Sequence, residues 1–187
     1  MNFKHEKAQF LKKPDKSLAG GIDKAILPLV NKINKSADYY TTSSCAGRII
    51  LMKETGKKQE KVFLAVWHNK ITFKELKKSL ENAVKKYRGT IYFKHEPCIM
   101  HVASNSLEKA IKLVNLARSS GLKKSGLISL GKNLIELVST EILATPVANK
   151  GKILIDDNYL KILVSESNSK LSQTRKKIKN LEKSFKL

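Results

Sequence analysis

A run of small polar residues that ends in an arginine is the part of this 187-residue chain best suited to chemistry. It has the sequence TTSSCAGR and occupies positions 41–48. Hydroxyls, backbone N–H groups and a guanidinium that converge on one point can bind a carboxylate or a phosphate. The same composition is also typical of an ordinary turn between strands. The candidate binding residues in this run are Ser43, Ser44, Cys45, Gly47 and Arg48.

Two histidines are candidate bases, since imidazole titrates near neutral pH. His68 follows the apolar stretch Val62–Trp67, where it can line a cleft or be a hydrogen-bonded structural residue. His101 lies within an apolar strand, and that position taken alone favours the core. A further candidate is Ser125-Gly126, which opens a strand after two lysines and could bind a phosphate or a cofactor tail, or form a plain turn.

Several kinds of site lack their sequence patterns in this chain. There is no glycine fingerprint for a dinucleotide, no Walker motif, no nucleophile elbow and no carboxylate cluster suited to two metals. The two cysteines, Cys45 and Cys98, are isolated, so neither a zinc site nor a disulfide scaffold is predicted. We therefore expect no bound metal ion.

The charge of the chain indicates a polyanionic partner. Lysine and arginine number 37 against 16 acidic residues, which gives a formal net charge of +21. Such a charge opposes compaction unless a partner neutralises it, and nucleic acid is the commonest such partner. A lysine-rich surface can also reflect genome composition or a hot habitat. Because no signal peptide or membrane span is recognised, we expect a cytoplasmic protein, nuclear in a eukaryote, and a monomer is favoured.

The spacing of apolar residues predicts both helices and strands. The predicted helices are at 2–13, 22–34, 73–87 and 107–119. The predicted strands are at 39–42, 48–52, 62–67, 90–93, 99–104, 125–130, 134–139 and 152–155. Pro28 should kink the second helix or mark its true start, and Gly121 should cap the fourth. Ser43–Gly47 is predicted as a turn, and Val62–Trp67 as a strand buried on both faces.

This order of elements predicts an α+β fold with a mixed β-sheet and packed helices. An arrangement of two related β-β-β-α units fits the same order. We expect one catalytic domain at 1–156, including the N-terminal helices, and a long basic C-terminal helix at 157–187. In that helix Val164, Leu171, Ile178 and Phe185 recur every seven residues. This stripe could pack on the domain, or the basic side of the helix could contact a phosphate backbone or a second subunit.

Several blocks of the chain resemble the tRNA wybutosine-synthesizing protein 3 family. These blocks run in order from about residue 14 to residue 165. They are GGIDKAI, YYTTSSCAGRIIL, His68, FKHEPCIMHV, SSGLKKSGL and ATPVANKGKILI. The resemblance implies a fold other than the Rossmann methyltransferase fold, in agreement with the missing glycine fingerprint.

The activity implied by the resemblance is methyl transfer from S-adenosyl-L-methionine to N-4 of a tricyclic base. That base, 7-(3-amino-3-carboxypropyl)-4-demethylwyosine, lies next to the anticodon of tRNA-Phe. In-line methyl transfer depends largely on alignment, and a nitrogen that bears hydrogen must also lose a proton. The other hypothesis is a non-catalytic basic protein that binds tRNA, which predicts binding without methyl transfer.

The chemistry of this activity suggests roles for individual residues. His68 is the first candidate base and His101 the second. Arg48 and the Ser43–Cys45 segment would hold a carboxylate, which either the cofactor or the substrate can offer. The remaining candidate binding residues are Gly47, Glu96, Ser125 and Gly126. Cys45 is not needed as a nucleophile, and Tyr39-Tyr40 or Trp67 could stack on the base or on adenine.

Overall fold

The structure is a computed structural model that describes residues 2–12, 23–54 and 62–186. Its contacts divide the chain into two compact units that interleave along the sequence. The first unit comprises Met1–Ala46, Pro97–Thr140 and Thr174–Leu187. The second comprises Gly47–Glu96 and Glu141–Gln173. Each unit contains one β-sheet with helices packed on it.

Each sheet is antiparallel throughout the described residues. The sheet of the first unit has the strand order β1-β5-β7-β6 and that of the second has β3-β2-β4-β8-β9. The strands of the first sheet are β1 (Tyr39–Cys45), β5 (Ile99–Ser104), β6 (Gly126–Ser129) and β7 (Leu134–Val138). The strands of the second sheet are β2 (Arg48–Lys53), β3 (Phe63–Trp67), β4 (Ile91–Glu96), β8 (Leu143–Asn149) and β9 (Lys152–Ile153).

Five helices are described in the same ranges. They are α1 (Phe3–Leu11), α2 (Leu27–Lys35), α3 (Phe73–Lys86), α4 (Leu107–Ser119) and α5 (Asp157–Ser184). With antiparallel sheets and helices outside any β-α-β repeat, the predicted α+β class is confirmed and a Rossmann arrangement is excluded.

The core of the first unit lies on one face of its sheet. Met100 and Val102 of β5, together with Ile135 of β7, point to this face and pack with residues of the helices. Helix residues such as Ile33 and Leu113 are fully buried here. Burial of each large apolar side chain is worth roughly 1.5–3 kcal/mol, so this core is the main source of the unit's stability.

The second unit has its own core. Ile49, Leu51 and Phe93 come from adjacent strands, and Leu76 and Leu80 come from α3. A capping box starts α3: the Thr72 hydroxyl accepts from the backbone of Glu75, whose carboxylate accepts from the backbone of Thr72. The predicted helix at 73–87 is therefore confirmed, including its apolar stripe.

The helices of the first unit also follow their sequence signals. The predicted helix at 107–119 is confirmed as α4, and Gly121 follows it with a φ of 107°. Leu122 donates its N–H to Ala117 and Gly121 donates to Arg118, so the predicted glycine cap is a Schellman motif. Pro28 lies in the first turn of α2 and thus marks its true start rather than a kink. The predicted last residue of the first helix, at 13, and the predicted first residue of the second, at 22, lie outside the described residues.

The structure differs from the expected mixed β-sheet in having two sheets, both antiparallel in the described residues. The strands belong to two sheets, and β1 and β2, although neighbours in sequence, lie in different ones. For the same reason β1, β2, β3 and α3 do not form a β-β-β-α unit. Local apolar patterns indicate where strands occur but carry no information on which strands pair.

Two strands differ from their predictions. β3 pairs only with β2 within the described ranges, and its Val66 is exposed, so this strand lies at an edge and is not buried on both faces. β8 falls in a stretch for which no strand was predicted, and it contains Pro146. The proline is tolerated since β9 pairs only with Ala148 and Asn149, which leaves the Pro146 position without a ladder on that side.

The C-terminal stripe packs within the chain. Leu160 and Leu171 of α5 belong to the core of the second unit, and Ile178 and Phe185 belong to the core of the first. Ser167 and Thr174, the polar members of the stripe, are fully buried. The packing interpretation is therefore confirmed for the apolar side of α5. None of the helices in the described ranges has the length and apolar character that a membrane span requires.

Candidate active site

A β-bulge in β1 determines which residues of the TTSSCAGR run face outward. Thr41 pairs with Val102, but Ser43 pairs with His101, so Thr42 is the extra residue. Val102 points into the core, whereas His101 points to the opposite face of the sheet, which we call the outer face. The bulge thus moves Ser43 to the outer face, where an unbroken strand would have turned it inward.

His101 lies at the centre of a polar row on the outer face. Its Nδ1 is 2.8 Å from the Ser43 hydroxyl and its Nε2 is 3.1 Å from a carboxylate oxygen of Glu136. The three residues come from the adjacent strands β1, β5 and β7 at paired positions. Gly126 is paired with Glu136 on the next strand, and a Cβ placed there would meet nothing within 4 Å. The row thus ends beside open space.

The row has the groups that a proton acceptor requires. Glu136 is acceptor-only, so it fixes the proton on Nε2 of His101. Neutral His101 then presents Nδ1 as the acceptor for the Ser43 hydroxyl. About a third of the His101 and Glu136 side chains is exposed, which leaves the row accessible to a ligand.

The structure separates the other candidates of the first unit from this row. Ser44 pairs with the core-facing Met100 and so lies on the inner face, while Cys45 lies on the outer face. The predicted turn Ser43–Gly47 is therefore wrong, since Ser43–Cys45 are strand residues. The Ser125 hydroxyl is buried, donates to the Leu122 carbonyl and accepts from Val138 N–H. These hydrogen bonds to the backbone indicate a structural role for Ser125.

Arg48 is paired with Glu96 in the second unit. The two residues are directly opposite on β2 and β4, and Arg48 Nε donates to a Glu96 carboxylate oxygen at 2.6 Å. The guanidinium carbon also lies 4.6 Å from the ring centroid of Phe63. Arg48 points away from the core defined by Ile49 and Leu51. A guanidinium has five N–H donors, and this contact with the carboxylate uses one of them.

The remaining predicted residues of the second unit are Gly47 and His68. Gly47 is buried with a φ of 87°, a conformation that favours glycine and that links β1 to β2. His68 is half-buried in the bend that directly follows β3. His68 and His101 thus belong to different units.

His95 is a buried histidine that sequence reasoning missed. It is 1% exposed, and its Nδ1 donates to the Glu141 backbone carbonyl at 2.7 Å. Its Nε2 is buried and has no hydrogen-bond partner among the described residues. Burial lowers the pKa of His95 below its ordinary 6.5, against the opposing effect of the carbonyl contact. The alternation of Ile91, Phe93 and His95 was the signal, but we had ended this strand at Phe93.

We expect His95 to make stability depend on pH. Its folded pKa lies below 6.5, so below that pH the unfolded chain binds a proton that the folded chain does not. The stabilisation is complete above pH 6.5 and is lost as pH falls through the folded pKa, at no more than about 1.4 kcal/mol per pH unit. Urea unfolding of wild type and His95→Asn between pH 5 and 8 measures this slope. Equal slopes in the two proteins would contradict the assignment, and His5→Ala, at an exposed position, is the control.

The aromatic candidates also divide between core and surface. Tyr39 is buried in the core of the first unit, where its hydroxyl donates to the Lys109 carbonyl and its ring packs on Phe185. Tyr40 lies on the outer face, paired with Ala103. Trp67 packs against the core of the second unit. Of the three, Tyr40 is the ring that shares a sheet face with the row of His101.

Comparison with known proteins identifies the family of this chain. The model of the family described as Methyltransferase TYW3 matches residues 5–187. A Methanocaldococcus jannaschii protein named tRNA(Phe) 7-((3-amino-3-carboxypropyl)-4-demethylwyosine(37)-N(4))-methyltransferase is 37% identical, with 94% of this chain and 92% of that protein covered. A Bos taurus relative named tRNA wybutosine-synthesizing protein 3 homolog is 33% identical, with 94% and 69% covered.

A solved structure from Pyrococcus horikoshii has the same fold. Its TM-score is 0.86 at 33% identity, and 97% of this chain and 93% of that chain are covered. The family model matches residues 5–187, and this range includes the positions of the outer-face row and of the Arg48–Glu96 pair in this chain. The chain therefore belongs to the Methyltransferase TYW3 family.

Proposed function

We propose that this chain methylates N-4 of 7-(3-amino-3-carboxypropyl)-4-demethylwyosine in tRNA-Phe, with S-adenosylmethionine as the methyl donor. The names of the relatives give this substrate, and the net charge of +21 suits a tRNA. The observation that carries the proposal is the row of Ser43, His101 and Glu136, which places an oriented imidazole on an accessible sheet face. Cytoplasmic location and a monomeric state are part of this proposal.

The side chains of the outer face fit the methyl donor. When bound, S-adenosylmethionine supplies a methyl group on a sulfonium, and it also has an adenine ring and an amino-acid end. An adenine ring requires an aromatic or apolar surface, and an amino-acid end requires groups of both charges. The outer face carries the ring of Tyr40, the Ser43 hydroxyl and the Glu136 carboxylate. Candidate binding residues there are Ser43, Cys45 and Gly126.

His101 is our choice of base in place of His68. N-4 must lose its proton as it gains the methyl group, and His101 Nδ1 can accept that proton directly or through the Ser43 hydroxyl. Glu136 then stabilises the imidazolium that forms and keeps the ring oriented. His68 ranks second because the contacts with Ser43 and Glu136 orient the ring of His101.

Arg48 is our choice of carboxylate ligand in the second unit. Its pairing with Glu96 holds the guanidinium in one orientation, and stacking on Phe63 restrains it further. A guanidinium held in this way binds a carboxylate with little loss of side-chain entropy. Glu96 acts through Arg48 in this scheme and is therefore a positioning residue.

Transfer of labelled methyl groups tests the proposal. The purified protein is incubated with S-adenosylmethionine and with tRNA-Phe that bears the 4-demethyl intermediate. Nucleoside mass spectrometry should then detect the gain of one CH2 group on the tricyclic base, and tRNA already methylated at N-4 should gain nothing. Salt-sensitive tRNA binding without methyl transfer would overturn the proposal in favour of a non-catalytic tRNA-binding protein.

A further inference from the structure

The first unit contains a cavity of about 680 Å³ between α1 and the outer face of its sheet. Pockets that bind small molecules or cofactors usually measure about 300–1,000 Å³. The floor of this cavity includes Tyr40, Ala103 and Leu134, which are paired across β1, β5 and β7. The cavity therefore lies on the same sheet face as His101.

The cavity is next to the polar row of His101. Ala103 and Leu134 are each two residues along their strands from His101 and Glu136. Two strand residues span roughly 6.8 Å, so the cavity floor and the row are adjacent on the outer face of the sheet. A ligand of cofactor size in the cavity can therefore reach His101.

One wall of the cavity is aromatic. Phe3 and Phe10 lie two helical turns apart on α1, and their ring centroids are 5.4 and 5.5 Å from that of Tyr40. Glu6 lies between them on the same helix face and also lines the cavity. Aromatic side chains grouped in this way bind flat heterocycles by stacking.

The described residues that line the cavity include one acidic and one basic side chain. Glu6 is the single acid and Lys132, in the β6–β7 turn, is the single cation among the described lining residues. A phosphodiester would gain from Lys132 but would be repelled by Glu6. A zwitterion matches both charges, since its ammonium can pair with Glu6 and its carboxylate with Lys132.

We propose that this cavity binds a flat heterocycle that carries an aminocarboxypropyl chain. The heterocycle lies against Phe3, Phe10 and Tyr40, and the amino-acid end of the chain lies between Glu6 and Lys132. This inference rests on the proposed function, in which both ligands have this chemistry. S-adenosylmethionine and the modified base each join an aromatic ring system to an aminocarboxypropyl group.

Binding measurements on Glu6→Gln and Lys132→Gln show whether the ligand of the cavity is S-adenosylmethionine or the modified base of the tRNA. Calorimetry with S-adenosylhomocysteine tests the cofactor. Filter binding of tRNA-Phe with and without the aminocarboxypropyl group, at one salt concentration, tests the substrate. We expect each variant to weaken binding of one ligand about tenfold, as loss of a charged hydrogen-bond partner does. For tRNA, the relevant quantity is the preference for the chain-bearing form.

Control variants remove charges elsewhere in the first unit. Glu108→Gln and Lys35→Gln change exposed residues of α4 and α2 outside the cavity lining. Phe10→Ala supplies a second probe and should weaken the same ligand roughly tenfold through lost stacking. An effect on either ligand beyond the controls supports the cavity and identifies its source.

Two results would count against the proposal, and they are distinguishable. If wild type binds both ligands and the cavity variants match the controls, the cavity assignment is overturned and the proposed methyl transfer stands. If wild type binds neither S-adenosylhomocysteine nor chain-bearing tRNA in preference to plain tRNA, the proposed function fails and the cavity assignment fails with it.

Discussion

Replacement of His101 by alanine is expected to lower kcat for methyl transfer by about 10²–10⁴-fold, the usual contribution of a general base. The reason is the position of its ring, with Nδ1 on the Ser43 hydroxyl and Nε2 on Glu136. The affinity for substrate should change little, because the imidazole acts on the proton that leaves N-4. Single-turnover rates as a function of pH measure the effect. In the pH–rate profile, the limb that reports the base should disappear.

Two further variants make this prediction specific. Glu136→Gln keeps the shape of the side chain but cannot stabilise imidazolium, so it should lower the rate by a smaller factor than His101→Ala. His68→Ala should leave the rate and its pH profile unchanged. If His68→Ala abolishes the pH dependence and His101→Ala does not, the base is His68.

Arg48→Ala should lower kcat/KM at least about 100-fold, near the upper end of what a charged hydrogen-bond partner contributes. The loss arises because both a carboxylate and an aromatic ring hold the Arg48 guanidinium in place. Arg48→Lys keeps the charge but loses the planar fork, so it should recover only a small part of the activity. Steady-state kinetics with varied cofactor and varied tRNA will show which KM rises.

Glu96→Gln tests whether Arg48 acts in an orientation set by its partner. We expect a loss of kcat/KM smaller than that of Arg48→Ala, together with a smaller additional loss when the two changes are combined. Arg88→Ala, an exposed arginine of the same unit, is the matched control and should retain full activity. Near-normal turnover of a folded Arg48→Ala protein would remove Arg48 from the site, and thermal melting establishes whether that variant is folded.

Helices were the part of the fold best predicted from the sequence, because their signals are local. The stripe and capping box of α3 lie within fifteen residues of one another, and the glycine that ends α4 follows it directly. Strand partners are different. β1 pairs with β5, more than fifty residues away, and the hydroxyl-rich stretch Ser43–Cys45 becomes a strand only because β5 supplies the ladder.

The candidate site was predicted in its residue types more than in its contacts. The sequence singled out Arg48, Glu96, His101 and Ser43, but the pairs that they form depend on strand register. Register is set by the burial of whole strand faces and by the bulge at Thr42, neither of which a local pattern reveals. Glu136 was missed for the same reason, although an acid within the apolar strand Leu134–Val138 was a visible signal.

The bulge at Thr42 also affects how insertions and deletions act on this chain. Removal of Thr42 alone would leave Thr41 opposite Val102 and Ser43 opposite His101, since Thr42 is the unpaired residue of the bulge. Because Thr41 and Thr42 are the same residue type, removal of either codon gives the same chain, in which the bulge is lost and the register on both sides is kept. The gene can therefore lose one threonine codon here with the pairing of Ser43 and His101 retained, whereas loss of a further residue from β1 would reverse the faces of several side chains at once.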